Sequence, residues 1–500
     1  MLSKGLNPTP TNQLLLRQQM LCFAYLAYSG EGITTPDPEP AIKTLITNGL
    51  NSITSVDLSG WEIAWGPVTY TVPGSLYQDN LMYVMQKKGS SDYAIVIRGT
   101  NGINELDWLL EDFEVQNTVA WPLSGNQNSQ QTGAEVTEST SIAMNILLNN
   151  MTDPTTQDTL VQFLNSVTKS PANICVTGHS LGGALTPTLA LWLIENPSQW
   201  DVSSNSTVSC ISFAGPTAGN QQFATYSMNM FVNAMQAGSF PGWDTSLGSN
   251  CDTVVCDMDI APFFYSYANI FDFSTANAGP LFNVYPQINP ANLSYPGGEE
   301  WSYLQEYVVM PLAAGLYAQN FTALQPPPGS TQQVLSGTFN GNGPASDSLS
   351  DYLTAFYTQA SWQHVYSYPQ ILNVTELQSG QSIINEDLPS FSLSSISPSY
   401  LDNNANNPAN PIEVALVFTG TGFDQNATID FYPSGVSGIN DITINSVSVN
   451  SSGTTLTANV TFPAIFFNQS GETYFSYYIF RVMNSDGSYS NTTTFYYYFD

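Results

Sequence analysis

Residues 176–183, VTGHSLGG, limit what this chain can fold into more than any other stretch. An apolar run, SPANICV, leads into them and a second, ALTPTLALWLI, follows. A buried strand that turns at once into a buried helix needs a sharp corner. Gly178, Gly182 and Gly183 can supply it. Gly178-His179-Ser180-Leu181-Gly182 fits G-x-S-x-G, in which a serine on a strained strand-to-helix turn lifts its hydroxyl above the sheet edge. The N-terminus of the following helix favours developing negative charge. The spacing therefore predicts a strand over Asn173–Thr177, a helix over Leu181–Glu195 and a nucleophile at Ser180. Pro187 falls inside that helix, where it removes one hydrogen bond and predicts a kink.

A serine nucleophile needs a base. The chain holds two histidines, His179 and His364. His179 adjoins the nucleophile, and its side chain points away from the site that Ser180 addresses. That orientation suits local packing and hydrogen bonding, so elimination leaves His364, in ASWQHVYSYP, as the base. An orienting carboxylate is expected between serine and histidine in the chain order of an α/β-hydrolase. Asp201, Asp244, Asp252, Asp257, Asp259 and Asp272 are candidates. Asp259, just after the apolar run TVVC, is favoured, with Asp257 second. The oxyanion needs fixed donors. The Leu181 N–H is one, and the N–H and hydroxyl of Thr100, which closes the run YAIVIRGT, are the other.

Strand-like segments at 61–72, 81–85, 93–97, 208–213 and 253–256 alternate with helical patterns at 13–29, 134–150 and 157–168. Such alternation predicts an α/β sheet. Residues 263–360 mix apolar, Gly- and Pro-rich pieces and read as a long insertion or cap, with a helix around Trp301–Leu316. After about Gln378 helical periods vanish, and short strands rich in Val, Ile, Thr, Tyr and Phe alternate with turns, the pattern of an all-β sandwich. The boundary falls in 376–392, giving domains at 1–378 and 390–500.

Several of these segments together resemble the class 3 (fungal-type) lipase family of α/β-hydrolases: IVIRGT, Trp108 and Asp112, GHSLGGAL, FAGPTAGN, DIAP, and a late histidine followed by tyrosines. They span residues 15–370 in the family's order. The resemblance implies an α/β-hydrolase with a mostly parallel central sheet. It also implies Ser180, Asp259 and His364 as triad, Thr100 and Leu181 as oxyanion hole, a carboxylester substrate (usually an acylglycerol) and no cofactor. In the family the segment after RGT commonly forms a lid; here it is INELDWLLEDFEVQNTVAW, 103–121. Leu106, Leu109, Leu110 and Phe113 suit one helical face beside Trp108, which makes them the lid candidates for opening at a lipid–water interface. Two departures stand out. The interval from Asp259 to His364 is much longer than in compact members, and QTGAEV lacks a histidine often found there. The C-terminal segments ISPSYL, VFTGTGF, SVSVNSSGTTLTANV and FRVMNSDGSYSN resemble an IPT/TIG-type immunoglobulin-like domain.

Charge narrows the partners. Lys and Arg number 8 against 39 Asp and Glu, for a net charge of −31. Such a surface repels phosphate backbones, so no nucleic-acid partner is expected. The acidic side of the 103–121 helix favours neutral lipid over anionic phospholipid. No apolar run is long enough for a membrane-spanning helix. The five cysteines include no CxxC, so no metal site is expected. Cys22, Cys175 and Cys210 read as buried thiols, and Cys251 and Cys256 as a candidate pair across a loop. MLSKGLNPTPTNQ carries no legible signal peptide. A polar surface built from Ser, Thr, Asn and Gln nonetheless resembles that of secreted proteins, with a cytoplasmic chain as the alternative. The expected activity is a triacylglycerol lipase. An esterase for shorter or aromatic esters, a phospholipase A1, a polyester hydrolase and a non-catalytic surface or adhesion protein are the alternatives.

Overall fold

A computed structural model describes residues 12–30, 33, 37–71, 80–99, 118–121, 133–263, 284–285, 324, 327–328, 334–340, 349–378, 392–398, 400–402, 411–433, 442–462, 474–485, 490 and 493–499. The chain divides into two compact units, Met1–Glu386 and Asp387–Asp500.

In the first unit the described residues build a six-stranded sheet. In chain order its strands are β1 (Trp61–Tyr70), β2 (Asn80–Lys87), β3 (Asp92–Ile97), β6 (Asn173–His179), β7 (Thr207–Phe213) and β8 (Cys251–Val254); a separate pair, β4 (Thr118–Ala120) and β5 (Glu135–Thr137), lies apart. β1, β2 and β3 pair antiparallel, whereas β3, β6, β7 and β8 run parallel. A parallel strand is covered on both faces and reads as a nearly unbroken apolar run. That is why DYAIVI is buried at every position and NICVTGH at all but its first.

Helices cover the two faces. On one side lie α1 (Asn12–Leu26) and α2 (Glu39–Ser52), sharing a core with Cys175, Phe213, Tyr368 and Leu372. On the other lie α3 (Glu138–Asn145), α4 (Leu160–Val167), α5 (Leu181–Glu195) and α6 (Gln221–Ala237), with Leu185, Leu189 and Phe223 in the opposite core. The pattern at 134–150 resolves into β5, α3 and one π-turn at Ile146–Asn150. Among the described residues, the longer helices that escaped the sequence reading are α2, α6 and α7 (Leu349–Ile371). The sequence of α7, LSDYLTAFYTQASWQHVYSYPQI, is rich in residues that favour strands, and its helical state is set by tertiary packing over propensity.

α5 is helical from Leu181 to Glu195 through Pro187. Proline has no N–H to offer the carbonyl four residues back, which is that of Gly183. The Ser212 hydroxyl on β7 donates to the Gly183 carbonyl instead, at 2.8 Å. A neighbouring strand thus satisfies the group that the helix cannot.

The Cys251–Cys256 pairing is corrected: all five cysteines are free and buried. Cys251 lies in register beside Cys210 on β7, inside the sheet, while Cys256 bridges to Leu335 beyond the strand. The strand therefore carries the two thiols to different neighbours. The expected helix around Trp301–Leu316 and most of the 263–360 insertion lie outside the described residues.

The second unit contains two four-stranded sheets. One has the order β10 (Tyr400–Asp402), β16 (Thr493–Phe499), β15 (Tyr474–Met483), β12 (Thr428–Pro433). The other runs β13 (Thr443–Val449), β14 (Thr455–Phe462), β11 (Ile412–Thr421), β9 (Ser392–Ser397). Strict alternation in TLTANVTF buries Leu456, Ala458, Val460 and Phe462 on one face. Both sheets contribute to one core, in which Phe418 meets Phe480 edge-on and Phe462 stacks on Phe495.

Candidate active site

β6 ends beside the ends of β3 and β7, with Ile97 opposite Gly178 and Phe213 opposite His179. Loops beyond the carboxyl ends of parallel strands are where α/β sheets gather functional residues. Ser180 stands at that edge. Its backbone has φ +60° and ψ −127°, and its N–H donates to the Phe213 carbonyl at 3.1 Å. A non-glycine residue at positive φ is strained, and such strain persists only where surroundings over-determine it.

The surroundings here are backbone. A Cβ on Gly178 would come within 2.5 Å of the Gly182 carbonyl oxygen. One on Gly182 would come within 2.3 Å of the Ile97 oxygen, on β3. Both elbow glycines are thus required by close approach. The glycine of IVIRGT belongs to the same crowd: a Cβ on Gly99 would meet Tyr28 Oη at 2.2 Å, the His179 oxygen at 2.7 Å and Ser180 Cβ at 3.0 Å. The Arg98-Gly99 segment just beyond β3 therefore passes directly against the serine.

Ser180 is fully buried, and among the described residues its hydroxyl has no hydrogen-bond partner. Leu181 opens α5, so its N–H has no intrahelical acceptor and faces outward from the helix end. Thr100 and the lid candidates Leu106, Trp108, Leu109, Leu110 and Phe113 lie outside the described residues.

Asp259 follows β8 and turns back on itself, with its N–H on the Cys256 carbonyl. Its carboxylate meets three donors. His364 Nδ1 lies 3.0 Å from Oδ2 and 3.2 Å from Oδ1, Tyr368 Oη donates to Oδ2 at 2.8 Å, and the Ala261 N–H donates to Oδ1 at 3.0 Å. Asp259 and His364 are both fully buried. Because Nδ1 faces the carboxylate, Nε2 is the ring nitrogen directed the other way, in the tautomer a general base needs.

The other aspartates are engaged elsewhere. Asp257 accepts the Gly337 N–H, Asp201 and Asp244 lock turns through Ser203, Ser206 and Ser246, and Asp252 receives Arg17 and Gln13. Asp272 lies outside the described residues.

Sequence reasoning missed Tyr368. It sits one helical turn beyond His364, so both side chains reach the same carboxylate from one face of α7. Burial, and then the adjacent Asp259 carboxylate, push its phenol well above the ordinary value, so it remains a neutral donor. It also accepts the Cys256 N–H at 3.2 Å, which ties the base helix to the Asp259 loop. An aromatic hydroxyl four residues after a candidate base was the available signal.

His179 is buried, and both of its ring nitrogens are engaged by groups other than Asp259. Its Nε2 lies 2.9 Å from the main-chain oxygen of His364, and its Nδ1 lies 2.9 Å from Tyr28 Oη. Burial, and next the neighbouring His364, hold its pKa well below the usual imidazole range. It is therefore a neutral ring at any pH near 7.

Among the described residues no group of His, Cys, Asp and Glu could hold a metal ion, and no helix is long and apolar enough to cross a membrane.

Residues 94–264 match the family model for Lipase (class 3). That span contains the last four residues of β3, the elbow and Asp259. The crystal structure of M37 lipase is similar over 74% of this chain and 97% of that one, with 28% sequence identity and a TM-score of 0.53. No curated protein sequence matches the chain. The fold is a lipase-like α/β architecture with a mostly parallel central sheet, and both similarities support a lipase-type hydrolase.

Proposed function

We propose that the chain is a serine carboxylester hydrolase acting on acylglycerols through Ser180, His364 and Asp259. One observation carries this reading: a strained, buried serine at the end of β6, with an imidazole held by a buried carboxylate on the elements beside it. In the proposed cycle Ser180 Oγ attacks the ester carbonyl while His364 Nε2 takes its proton. Asp259 holds Nδ1–H and stabilises the imidazolium. The Leu181 N–H and Thr100 stabilise the oxyanion, each such donor being worth about a hundredfold or more in rate. His364 then returns the proton to the leaving alcohol. Water, activated by the same ring, cleaves the acyl-enzyme.

The segment 103–121 is our candidate lid, a reading supported by its amphipathic sequence. We assign 1–378 as the lipase-like domain and 390–500 as an IPT/TIG-like domain, on the sequence motifs given above. The surface rich in Ser, Thr, Asn and Gln supports a secreted protein.

The test is hydrolysis by the native chain and Ser180→Ala across short-chain esters, long-chain triacylglycerols and phospholipids. Loss of turnover in the variant with a native preference for long-chain triacylglycerol is the expected result. A native preference for short esters or phospholipid would move the assignment to esterase or phospholipase A1. Full activity in Ser180→Ala would end the serine mechanism.

A further inference from the structure

The residue before the nucleophile and the residue offered as base are joined directly. We propose that His179 is a positioning residue: its Nε2–H donates to the main-chain carbonyl of His364 and so fixes the base helix at a set distance from Ser180. The proposal rests on the reading of Ser180 and His364 given above.

The geometry leaves the direction of the bond unambiguous. A main-chain carbonyl only accepts, so the 2.9 Å contact with His364 O requires the proton on Nε2. In a neutral ring Nδ1 is then the acceptor. Tyr28 Oη stands 2.9 Å from that Nδ1 and 3.2 Å from the His179 carbonyl. Its one proton thus serves two acceptors of the same residue. Tyr28 selects the tautomer that His364 O requires.

Packing removes the freedom to choose another pose. The His179 ring centroid lies 4.6 Å from that of His364, 4.9 Å from Tyr25, 5.8 Å from Tyr28 and 6.0 Å from Tyr368. Four aromatic rings therefore surround the imidazole.

Next along α7 the Val365 carbonyl accepts Tyr25 Oη at 2.6 Å. Pro369 stands four residues later and has no N–H for that carbonyl. The helix is thus short of one internal bond at the base itself. Two side-chain donors, one from the elbow and one from α1, hold consecutive carbonyls at that point. A displacement of about 1 Å between reacting groups can cost about a hundredfold in rate. Ser180 is bonded to His179 in the chain, so the clamp refers the base to the nucleophile by the shortest path available.

The test uses the full chain with His179→Leu, His179→Gln and Tyr28→Phe, measured as kcat and KM on one soluble ester together with thermal midpoint. Gln can place Nε2 toward His364 O and Oε1 toward Tyr28. His179→Leu should lower kcat about 10- to 100-fold with KM within about threefold. His179→Gln should recover most of the loss. Tyr28→Phe should lower kcat severalfold alone and add nothing to His179→Leu, because both act through one bond. Native kcat in His179→Leu, equal impairment of Leu and Gln, or additive losses with Tyr28→Phe would each overturn the proposal. If His179→Leu does not fold, the Gln and Phe variants and their double mutant decide the question by the same comparison. Ser180→Ala separates the two levels: an active Ser180→Ala sinks the catalytic reading, whereas an inactive one beside a fully active His179→Leu sinks only the clamp.

Discussion

Two helices meet at the candidate site, and each contains a proline in its interior. α5 begins at the nucleophile and carries Pro187; α7 carries His364 in its body and Pro369 near its end. In both, the carbonyl four residues before the proline lacks its helical donor, and a hydroxyl from another element replaces it. Ser212 on β7 serves Gly183, and Tyr25 serves Val365. The likeness ends there. The nucleophile's helix is held by backbone: Gly178 and Gly182 bring the elbow and β3 so close that no Cβ fits between them. The base's helix is held by side chains, namely Tyr25, His179, Tyr368 and Gln18, the last donating to the Leu372 carbonyl at 2.7 Å. The proposed nucleophile is fixed by main-chain packing and the proposed base by a set of removable hydrogen bonds.

The largest effect should come from the carboxylate that serves the side-chain half. Asp259→Asn keeps the shape but leaves His364 Nδ1 facing an amide, and kcat should fall about 10⁴-fold with little change in fold. Steady-state kinetics and circular dichroism check it. Next is the backbone half. Gly182→Ala puts a methyl against the Ile97 oxygen, and the two chains must separate. We expect a loss of about a hundredfold or more in kcat, plus about 1–3 kcal/mol of stability. A fully active Gly182→Ala would break the contrast drawn above. Smaller changes should follow from the two proline substitutes. Ser212→Ala and Tyr25→Phe each strand a buried carbonyl, worth about 1–3 kcal/mol in denaturant unfolding. Only Tyr25→Phe should lower kcat as well, since it alone touches the helix that carries the base.

The smallest effect lies just beyond α7. Glu376 accepts from the Thr54 N–H and hydroxyl and the Ser55 N–H at 2.7–2.9 Å, and from the Ser55 hydroxyl, so it fastens the end of α7 to the turn after α2. Its partial burial opposes ionisation. The Ser55 and Thr54 donors outweigh that and hold the carboxyl down at about 2. A folded pKa below the unfolded value of about 4.3 gives stability that is full above that value and is lost as pH falls through about 2. Glu376→Gln should therefore be less stable than the native chain at neutral pH, and the gap should close in acid. The group is largely exposed, so the difference should stay at a fraction of a kcal/mol.

How much of this was legible depended on which half carried it. Backbone demands leave marks at fixed positions. The glycines of IVIRGT and GHSLGG, the continuous apolar strands between them and the boundaries of α5 could all be read in order. Counting histidines isolated His364, and the position after TVVC favoured Asp259 over Asp257. The side-chain half left weaker marks. α7 is built from Tyr, Phe, Thr and Trp, which favour strands, so neither its helix nor the Tyr368 contact with Asp259 followed from local pattern. The donor that replaces the hydrogen bond lost at Pro187 was hidden for a related reason, because Ser212 lies on a strand that is adjacent only in three dimensions. His179 was assigned to local hydrogen bonding, and its partner turned out to be the carbonyl of the other histidine.

Labelling with a fluorophosphonate tests the central claim most directly. The account predicts one covalent adduct, on Ser180, at a rate that falls steeply in His364→Ala and Asp259→Asn. No adduct on Ser180, or undiminished labelling without His364, would contradict it.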